Sequence, residues 1–339
     1  MPPSILKKFS NINLFTKILF SILCGVSITA AMQPLNLFLI IWITIPFFIF
    51  ILDTAQNRIQ IFIISWSFGL GYFGSSFAWI TNAFYVQAET YGWLAIPSIL
   101  LLSAGFSFYI SLIGFLLSFY PKGHAKKKTQ WLLWHKIFFF ASIWAIIEWF
   151  RGWFLTGFPW NPIGNIWSNY LYPAQIASIF GIYGLSLITI LSSCSLYVFL
   201  NKGFYKSKSF LVIILNIPIL LATSWGAHKI TNSNISYVDN VELRLVQPNI
   251  NQKEKWDKDL RKGHIDKILK MSLKENQKTT HIIWPEAAVT YPINKNNSLI
   301  KYISSSIPEN EVSGPGKGFY ALMKIHLNNF GKNLYYNII

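Results

Sequence analysis

The sequence has little charge, since only 12% of its 339 residues are Asp, Glu, Lys or Arg. A soluble domain typically has about 25%, and 53% of this chain is hydrophobic. This composition excludes a disordered protein and argues against an ordinary cytosolic enzyme. Charged residues are scarcest in residues 1–227, which contain 13 basic residues and three acidic ones, Asp53, Glu89 and Glu148. Residues 228–339 have an ordinary soluble composition, which predicts two domains.

Cysteine is also scarce, because Cys24 and Cys194 are the only two in the sequence. Two cysteines exclude a disulfide scaffold and any multi-cysteine zinc or iron–sulfur site. Both lie in hydrophobic runs, which favours the role of a small apolar helix residue over a catalytic one. The net charge of +16 could indicate a nucleic-acid partner. We expect none, because the basic residues of the first domain lie between hydrophobic runs.

Long hydrophobic runs occupy residues 1–227. A membrane-spanning helix needs about 20 apolar residues, and about seven runs approach that length, at 14–31, 35–52, 59–80, 93–119, 131–150, 171–200 and 209–227. Basic and base-free loops alternate between them, as the positive-inside rule requires. The sequence therefore predicts a multi-pass α-helical membrane domain with a cytoplasmic N-terminus. Residues 228–339 then lie outside the cytoplasm, which in a bacterium is the periplasmic face of the inner membrane.

One loop of the membrane domain, residues 151–170, has an unusual composition. Glu148 and Arg151 are three residues apart just before it, so on a helix they share a face and can pair. Ionisable residues inside membranes are functional candidates. Phe158, Trp160 and Trp167 are suited to the lipid headgroup level. Two interpretations stay open: a structural ion pair with an aromatic belt, or part of a substrate site.

The second domain begins with a strand–helix–strand pattern. Residues 240–249 alternate as a buried strand, with Val241, Leu243 and Leu245 on one face, and residues 255–277 have helical spacing. A second buried strand ends at Glu286. This order opens an α/β layered domain, in which ligands bind beyond the carboxyl ends of strands. Glu286 is therefore a candidate site residue, although a loop or capping role is the commoner one for such a glutamate.

Several sequence motifs together carry a resemblance to a known family. They are FGLGYFG at 68–74, EWFRGWFLTGFPW at 148–160, FGIYG at 180–184, VQPNI at 246–250 with KWD at 255–257, and WPEAA at 284–288. In this order, behind this topology, the chain resembles the apolipoprotein N-acyltransferases, membrane members of the nitrilase (carbon–nitrogen hydrolase) superfamily. The resemblance runs from about residue 14 to at least residue 300.

The resemblance implies a fold and a reaction. The family transfers a fatty acyl chain from a phospholipid to the N-terminal diacylglyceryl-cysteine of an apolipoprotein, the last step of lipoprotein maturation. Its periplasmic domain is an αββα nitrilase-like sandwich with a Glu–Lys–Cys triad, and it needs no metal or other cofactor. By motif, Glu286 matches the general base. The implied partners are the phospholipid donor, the apolipoprotein acceptor and the membrane.

The chain departs from the family in its last part. Only about 100 residues follow Asn240, no cysteine follows Cys194, and the family's last membrane helix is missing, so we expect an incomplete α/β domain. Lys324 lies in a Lys-x-His-Leu pattern that matches the family lysine, but it is close to Glu286. Alternatively, Asn329 to Gly331 form a hairpin turn and the family lysine is not reached. We expect this truncated chain to be inactive alone.

Two other function classes compete with the enzyme. A non-catalytic membrane protein could bind lipid or lipoprotein through the aromatic loop. A transporter or channel is disfavoured, because the hydrophobic runs contain almost no ionisable residues besides His135, Lys136, Glu148 and Arg151.

Overall fold

The computed structural model describes residues 12–120, 129–200, 206–234, 236–273, 279, 281–285, 289–290 and 298–306. The chain divides into two compact units, with the division between Ser233 and Asn234. This boundary lies six residues beyond the one predicted after residue 227.

The first unit is helical. Its helices are α1 (Leu14–Thr29), α2 (Ile41–Asp53), α3 (Arg58–Ser76), α4 (Ala88–Tyr91), α5 (Ala95–Leu117), α6 (Thr129–Arg151), α7 (Leu171–Ala174), α8 (Ala177–Ser193), α9 (Ser195–Leu200) and α10 (Lys206–Thr231). Short 3-10 turns lie at Phe38–Ile40, Ala78–Gln87, Gly92–Leu94, Phe154–Thr156 and Ile163–Trp167.

Four helical segments of the described residues are long and apolar enough to cross a membrane, namely Ala78–Leu117, Leu133–Arg151, Ala177–Val198 and Phe210–Thr231. Leu14–Thr29 and Phe38–Asp53 are apolar but shorter. These helices are those expected of a membrane protein, whereas the number of seven spans stays a prediction.

Sequence signals explain where several helices begin and break. The side chains of Asn13 and Asn57 accept hydrogen bonds from the main-chain N–H groups of Thr16 and Gln60, at 2.8 and 2.9 Å, and so cap α1 and α3. The run at 171–200, predicted as one span, is instead divided into α7, α8 and α9. Inside α8 the backbone of Gly181 is left-handed, with φ of 67°, a conformation that glycine adopts without steric cost.

Helices α1 and α3 pack with their backbones in close contact. A Cβ atom on Gly71 would lie 2.2 Å from the main-chain oxygen of Ile22, and one on Gly25 would lie 2.1 Å from that of Phe68. The Ser21 hydroxyl donates to the Ile64 carbonyl at 2.6 Å in the same interface. Small residues that allow such close approach are the usual basis of helix packing in membranes.

The second unit contains β1 (Leu243–Leu245), α11 (Arg261–Ser272), β2 (His281–Ile283) and α12 (Ser298–Ser306). The two strands are parallel, with Leu243 opposite His281 and Leu245 opposite Ile283. Side chains of Val246, Ile265, Ile268, Ile282 and Trp284 form its core with four others. The predicted strand–helix–strand order is therefore confirmed, although the helix is shorter than residues 255–277.

The buried face of β1 carries Arg244 and is continued by Val246, whereas Leu243 and Leu245 lie on the exposed face. Leu243 and Leu245 are 58% and 74% exposed, whereas Val246, which follows the strand, is 5% exposed. Arg244 is half-buried and donates to the Ser272 carbonyl at the end of α11. The alternation in the sequence did not show which face the helix would cover, and the Arg244 bond together with the burial of Val246 fixes it.

Candidate functional site

Glu286, the predicted general base, lies outside the described residues, as does Lys324. The chain leading to Glu286 is described: the Trp284 side chain is 2% exposed and its Nε1 donates to the Ser272 hydroxyl at 2.9 Å. This bond ties the end of β2 to α11. Glu286 follows Trp284 by two residues in the sequence, shortly after β2. Its role as a general base stays a prediction.

Cys24 and Cys194 are buried in the helical unit, at 6% and 0% exposure, and neither forms a disulfide. Buried thiols in apolar surroundings are structural and inert. Within the described ranges, no three His, Cys, Asp or Glu side chains come together as a metal site would require.

The polar centre of the helical unit is Glu148, near the end of α6. Its side chain is 5% exposed, and its Oε1 accepts hydrogen bonds from Trp144 Nε1 at 2.9 Å and from the main-chain N–H of Ile163 at 2.8 Å. Trp144 is one turn earlier on the same helix, whereas Ile163 begins the 3-10 turn after the aromatic loop. The carboxylate therefore fixes the end of that loop against α6.

Arg151, one turn after Glu148, fixes the middle of the loop. Its Nη1 donates to the main-chain oxygens of Phe158 and Trp160, at 2.9 and 2.7 Å, and its guanidinium lies 5.5 Å from the centre of the Phe73 ring. The spacing predicted a direct ion pair between Glu148 and Arg151. Within the part of the chain that the structure describes, these two side chains do not form one. Each charge instead binds main-chain groups of the loop, because those groups lack helical partners and need satisfying.

Three further bonds hold the loop from the neighbouring helices. Tyr72 donates its hydroxyl to the Asn161 carbonyl, and Asn161 Nδ2 donates to the Ser76 carbonyl at 3.2 Å. The Gly164 N–H donates to the Ser186 hydroxyl of α8 at 2.8 Å. Helices α3, α6 and α8 therefore define one conformation of residues 158–164. Sequence reasoning missed the roles of Tyr72, Asn161 and Ser186.

One signal for Asn161 was available. Its backbone is left-handed, with φ of 52°, and asparagine is enriched several-fold in that region. The pattern Trp160-Asn161-Pro162 therefore marks a sharp bend that the loop needs. No comparable local signal identifies Ser186, which reaches the loop from a helix 22 residues later.

The loop presents an aromatic surface. The rings of Trp160 and Trp79 are stacked, with centroids 4.7 Å apart, and each residue is 48% exposed. Phe158 packs below them against Phe77 and Phe106, at 5.1 and 4.9 Å. Trp160 thus fits the predicted headgroup position, whereas Trp167 does not: it is 6% exposed and donates to Thr189 Oγ1 at 2.8 Å.

A second polar cluster joins α2, α6 and α9. Lys136 Nζ forms an ion pair with Asp53 and donates to the Tyr197 hydroxyl at 2.8 Å, and that hydroxyl donates to Asp53. Each of the three groups has a charged or polar partner, as charges near a membrane require. The cluster links the three helices through these bonds and contains no exposed nucleophile.

The comparisons with known proteins agree with this architecture. The family described as the apolipoprotein N-acyltransferase N-terminal domain matches residues 24–195, which include α6, the aromatic loop and α8. Among similar proteins, apolipoprotein N-acyltransferase of Rhodopseudomonas palustris is 30% identical over 309 residues, or 86% of this chain and 55% of that protein. The proteins of the same name from Rickettsia prowazekii and Shewanella oneidensis are 32% and 28% identical over 83% and 81% of this chain.

The chain spans about half the length of these curated relatives: 55%, 56% and 50%. The matched part nevertheless extends into the second unit, because 86% of this chain is more than the first unit, Met1–Ser233, contains. The family match covers residues 24–195, about half of the chain. On this evidence, the chain belongs to the apolipoprotein N-acyltransferase family.

Proposed function

We propose that this chain serves in the N-acylation of apolipoproteins, in which a phospholipid gives an acyl chain to the N-terminal diacylglyceryl-cysteine. The observation that carries the proposal is the match of the family domain to residues 24–195. The rigid aromatic loop within that match supports it, because exposed, stacked tryptophans suit contact with lipid at the membrane interface.

The chemistry proposed for the reaction follows the triad of the family. Glu286 takes the proton of a cysteine thiol as general base, and the thiolate attacks the phospholipid ester. A lysine stabilises the oxyanion, and the resulting thioester passes its acyl group to the acceptor amine. In the first step the ester C–O bond breaks, and the lysophospholipid leaves with the proton that Glu286 took. In the second step the thioester C–S bond breaks as the amide bond forms, and the proton of the amine returns through Glu286 to the thiolate.

We also propose that residues 1–339 do not complete this reaction alone. The sequence has no cysteine after Cys194, and both cysteines are buried in the helical unit. Lys324 is one candidate for the lysine of the triad. In the alternative, residues 329–331 form a hairpin turn, and residues 1–339 then do not include the lysine of the triad. The nucleophile must then come from outside these residues.

The second unit is proposed to be the beginning of a nitrilase-like αββα sandwich. The parallel β1–β2 pair with α11 on one face supports this, because a sandwich buries the other face of each sheet against a second sheet. Leu243 and Leu245 are exposed on that other face. We place the unit in the periplasm and the N-terminus in the cytoplasm of a bacterial inner membrane, on the alternation of loop charges.

A non-catalytic role is the second candidate function. The missing cysteine favours it, and the stacked Trp79 and Trp160 would then bind lipid or lipoprotein without transfer. The two functions differ in one requirement, because only the enzyme needs the Glu286 carboxylate.

Complementation tests the proposal. Residues 1–339 are expressed in a strain depleted of its own N-acyltransferase, beside a chimera that continues from the aligned region into the remaining sequence of the Rickettsia prowazekii relative. We expect growth with the chimera, no growth with residues 1–339, and no growth with the Glu286→Gln chimera. Rescue by residues 1–339 would overturn the proposed inactivity, and rescue by the Glu286→Gln chimera would overturn the proposed base. Membrane abundance of each protein, measured by immunoblot, controls for folding.

A further inference from the structure

The helical unit contains an apolar groove whose lining includes none of Trp79, Phe158 and Trp160, the residues of the aromatic surface. Its volume is about 680 Å³, and its walls come from the 3-10 turn at Phe38–Ile40 and the start of α2, from residues 167–173 and from α10. This volume is in the range of about 300–1,000 Å³ that small-molecule sites occupy. Along α10 the lining extends from Asn216 to Thr223, which is about 10 Å at 1.5 Å per residue.

Three polar side chains of the walls, those of Trp167, Tyr170 and Thr223, already have hydrogen-bond partners. Trp167 Nε1 donates to Thr189 and the Tyr170 hydroxyl donates to the Asn36 carbonyl, both at 2.8 Å. On α10, Thr223 donates to the Ile219 carbonyl. The walls therefore offer aromatic faces and hydrocarbon to an occupant and disfavour a polar ligand, whose hydrogen bonds would be lost.

Asn216, the first lining residue along α10, also has its polar atoms bonded. Its Nδ2 donates to the Val212 carbonyl at 2.8 Å, and its Oδ1 accepts from the Ser192 hydroxyl at 2.6 Å. Both ends of the amide are thus held by α10 itself and by α8. The lining is most polar where Asn169 lies exposed, and there its Oδ1 accepts from Gln33 Nε2 at 2.7 Å.

The groove is continuous with the apolar outer surface of the helices. Leu39, Leu171 and Leu220 line it and are 66%, 61% and 62% exposed. Leu220 belongs to the candidate membrane span Phe210–Thr231. Only 28% of the apolar stretch of that span is buried inside the protein. In a membrane this surface faces lipid, so the groove opens directly to acyl chains.

We propose that the groove holds one acyl tail of a membrane phospholipid, lying along α10 between Ile219 and the ring of Trp42, with its ester region near Asn169. The apolar walls select the tail, and the exposed amide at one end suits the ester. This inference is independent of acyl transfer, because it involves neither Glu286 nor the stacked Trp79 and Trp160.

Photolabelling tests the proposal. The full chain is reconstituted into phosphatidylethanolamine vesicles that contain a small fraction of the same lipid with a diazirine in its acyl chain, and labelled peptides are mapped by mass spectrometry. Labelling of the peptides that contain residues 38–42 and 167–173 should saturate, so that excess unlabelled lipid suppresses it. Labelling around Leu101 on α5, which is 75% exposed and outside the groove, should fall only in proportion to the dilution.

Variants on α10 supply a matched comparison. Ile219→Trp fills the groove and should lower the saturable labelling about tenfold, the change that about 1.4 kcal/mol of lost binding gives. Leu221→Trp should leave it unchanged. Proportional dilution at every site, or unchanged labelling in Ile219→Trp, would overturn the proposal. So would crosslinks between two copies of the chain through residues 216–223, which would show that a protein surface fills the groove.

Discussion

Glu148 and Ile163 are joined by a hydrogen bond of 2.8 Å from a main-chain N–H to a buried carboxylate fifteen residues earlier in the chain. Arg151 completes the arrangement by binding the carbonyls of Phe158 and Trp160. Glu148 therefore accepts from a main-chain N–H group, whereas Arg151, on the same face of α6, donates to main-chain carbonyl groups. The result is a loop whose conformation is set by a membrane helix.

Replacement of Glu148 should destabilise the protein. Glu148→Ala leaves the Trp144 and Ile163 donors buried without their acceptor, at a cost of about 1–3 kcal/mol for each. Glu148→Gln keeps an oxygen that can accept both bonds and should cost less. The measurement is the thermal unfolding midpoint in detergent, with Glu89→Ala, at an exposed position, as the control. Equal midpoints for Glu148→Ala and the control would contradict this role.

Replacement of Arg151 should loosen the loop without unfolding the bundle. Arg151→Met removes both donors to the loop carbonyls while keeping an unbranched apolar stem. Hydrogen exchange of amides in residues 157–164 should then rise by about tenfold or more, which corresponds to about 1.4 kcal/mol of lost protection. Arg58→Met, at an exposed arginine over the Phe119 ring, is the matched control. Unchanged exchange in Arg151→Met would show that other bonds are sufficient.

The close approach of α1 and α3 predicts opposite effects for two identical substitutions. Alanine is favoured over glycine in a helix interior by about 1 kcal/mol. Gly105→Ala, which meets nothing within 4 Å, should be neutral or stabilising. Gly71→Ala should destabilise, because its Cβ would lie 2.2 Å from the Ile22 oxygen. If both variants shift the unfolding midpoint in the same direction, the backbone contact is not as described.

The second unit should depend on its single covered sheet face. Ile268 is fully buried between α11 and the strands, so Ile268→Ala should cost about 2–5 kcal/mol. Leu245, 74% exposed, provides the control, since surface substitutions are usually within about 0.5 kcal/mol. Exchange of the Val246 amide, which donates to the Ile283 carbonyl, reports the effect. Faster exchange in Leu245→Ala than in Ile268→Ala would reverse the assignment of the buried face.

Much of this architecture can be predicted from the sequence, but the contacts of the site cannot. Hydrophobic runs indicate the helices, and the spacing of Glu148 and Arg151 marks them as a related pair. Their actual partners are main-chain groups of a loop, which carry no sequence signal at all. The buried face of β1 could not be predicted for a similar reason, since alternation defines two faces and only the position of α11 decides between them.

The most direct test of the proposed function is the mass of a lipoprotein. The N-terminal peptide of a reporter lipoprotein is analysed from the depleted strain that expresses the chimera. The proposal predicts one added acyl chain with the chimera and none with residues 1–339 or with the Glu286→Gln chimera. No added chain with the chimera, while the Rickettsia prowazekii relative adds one in the same strain, would contradict it.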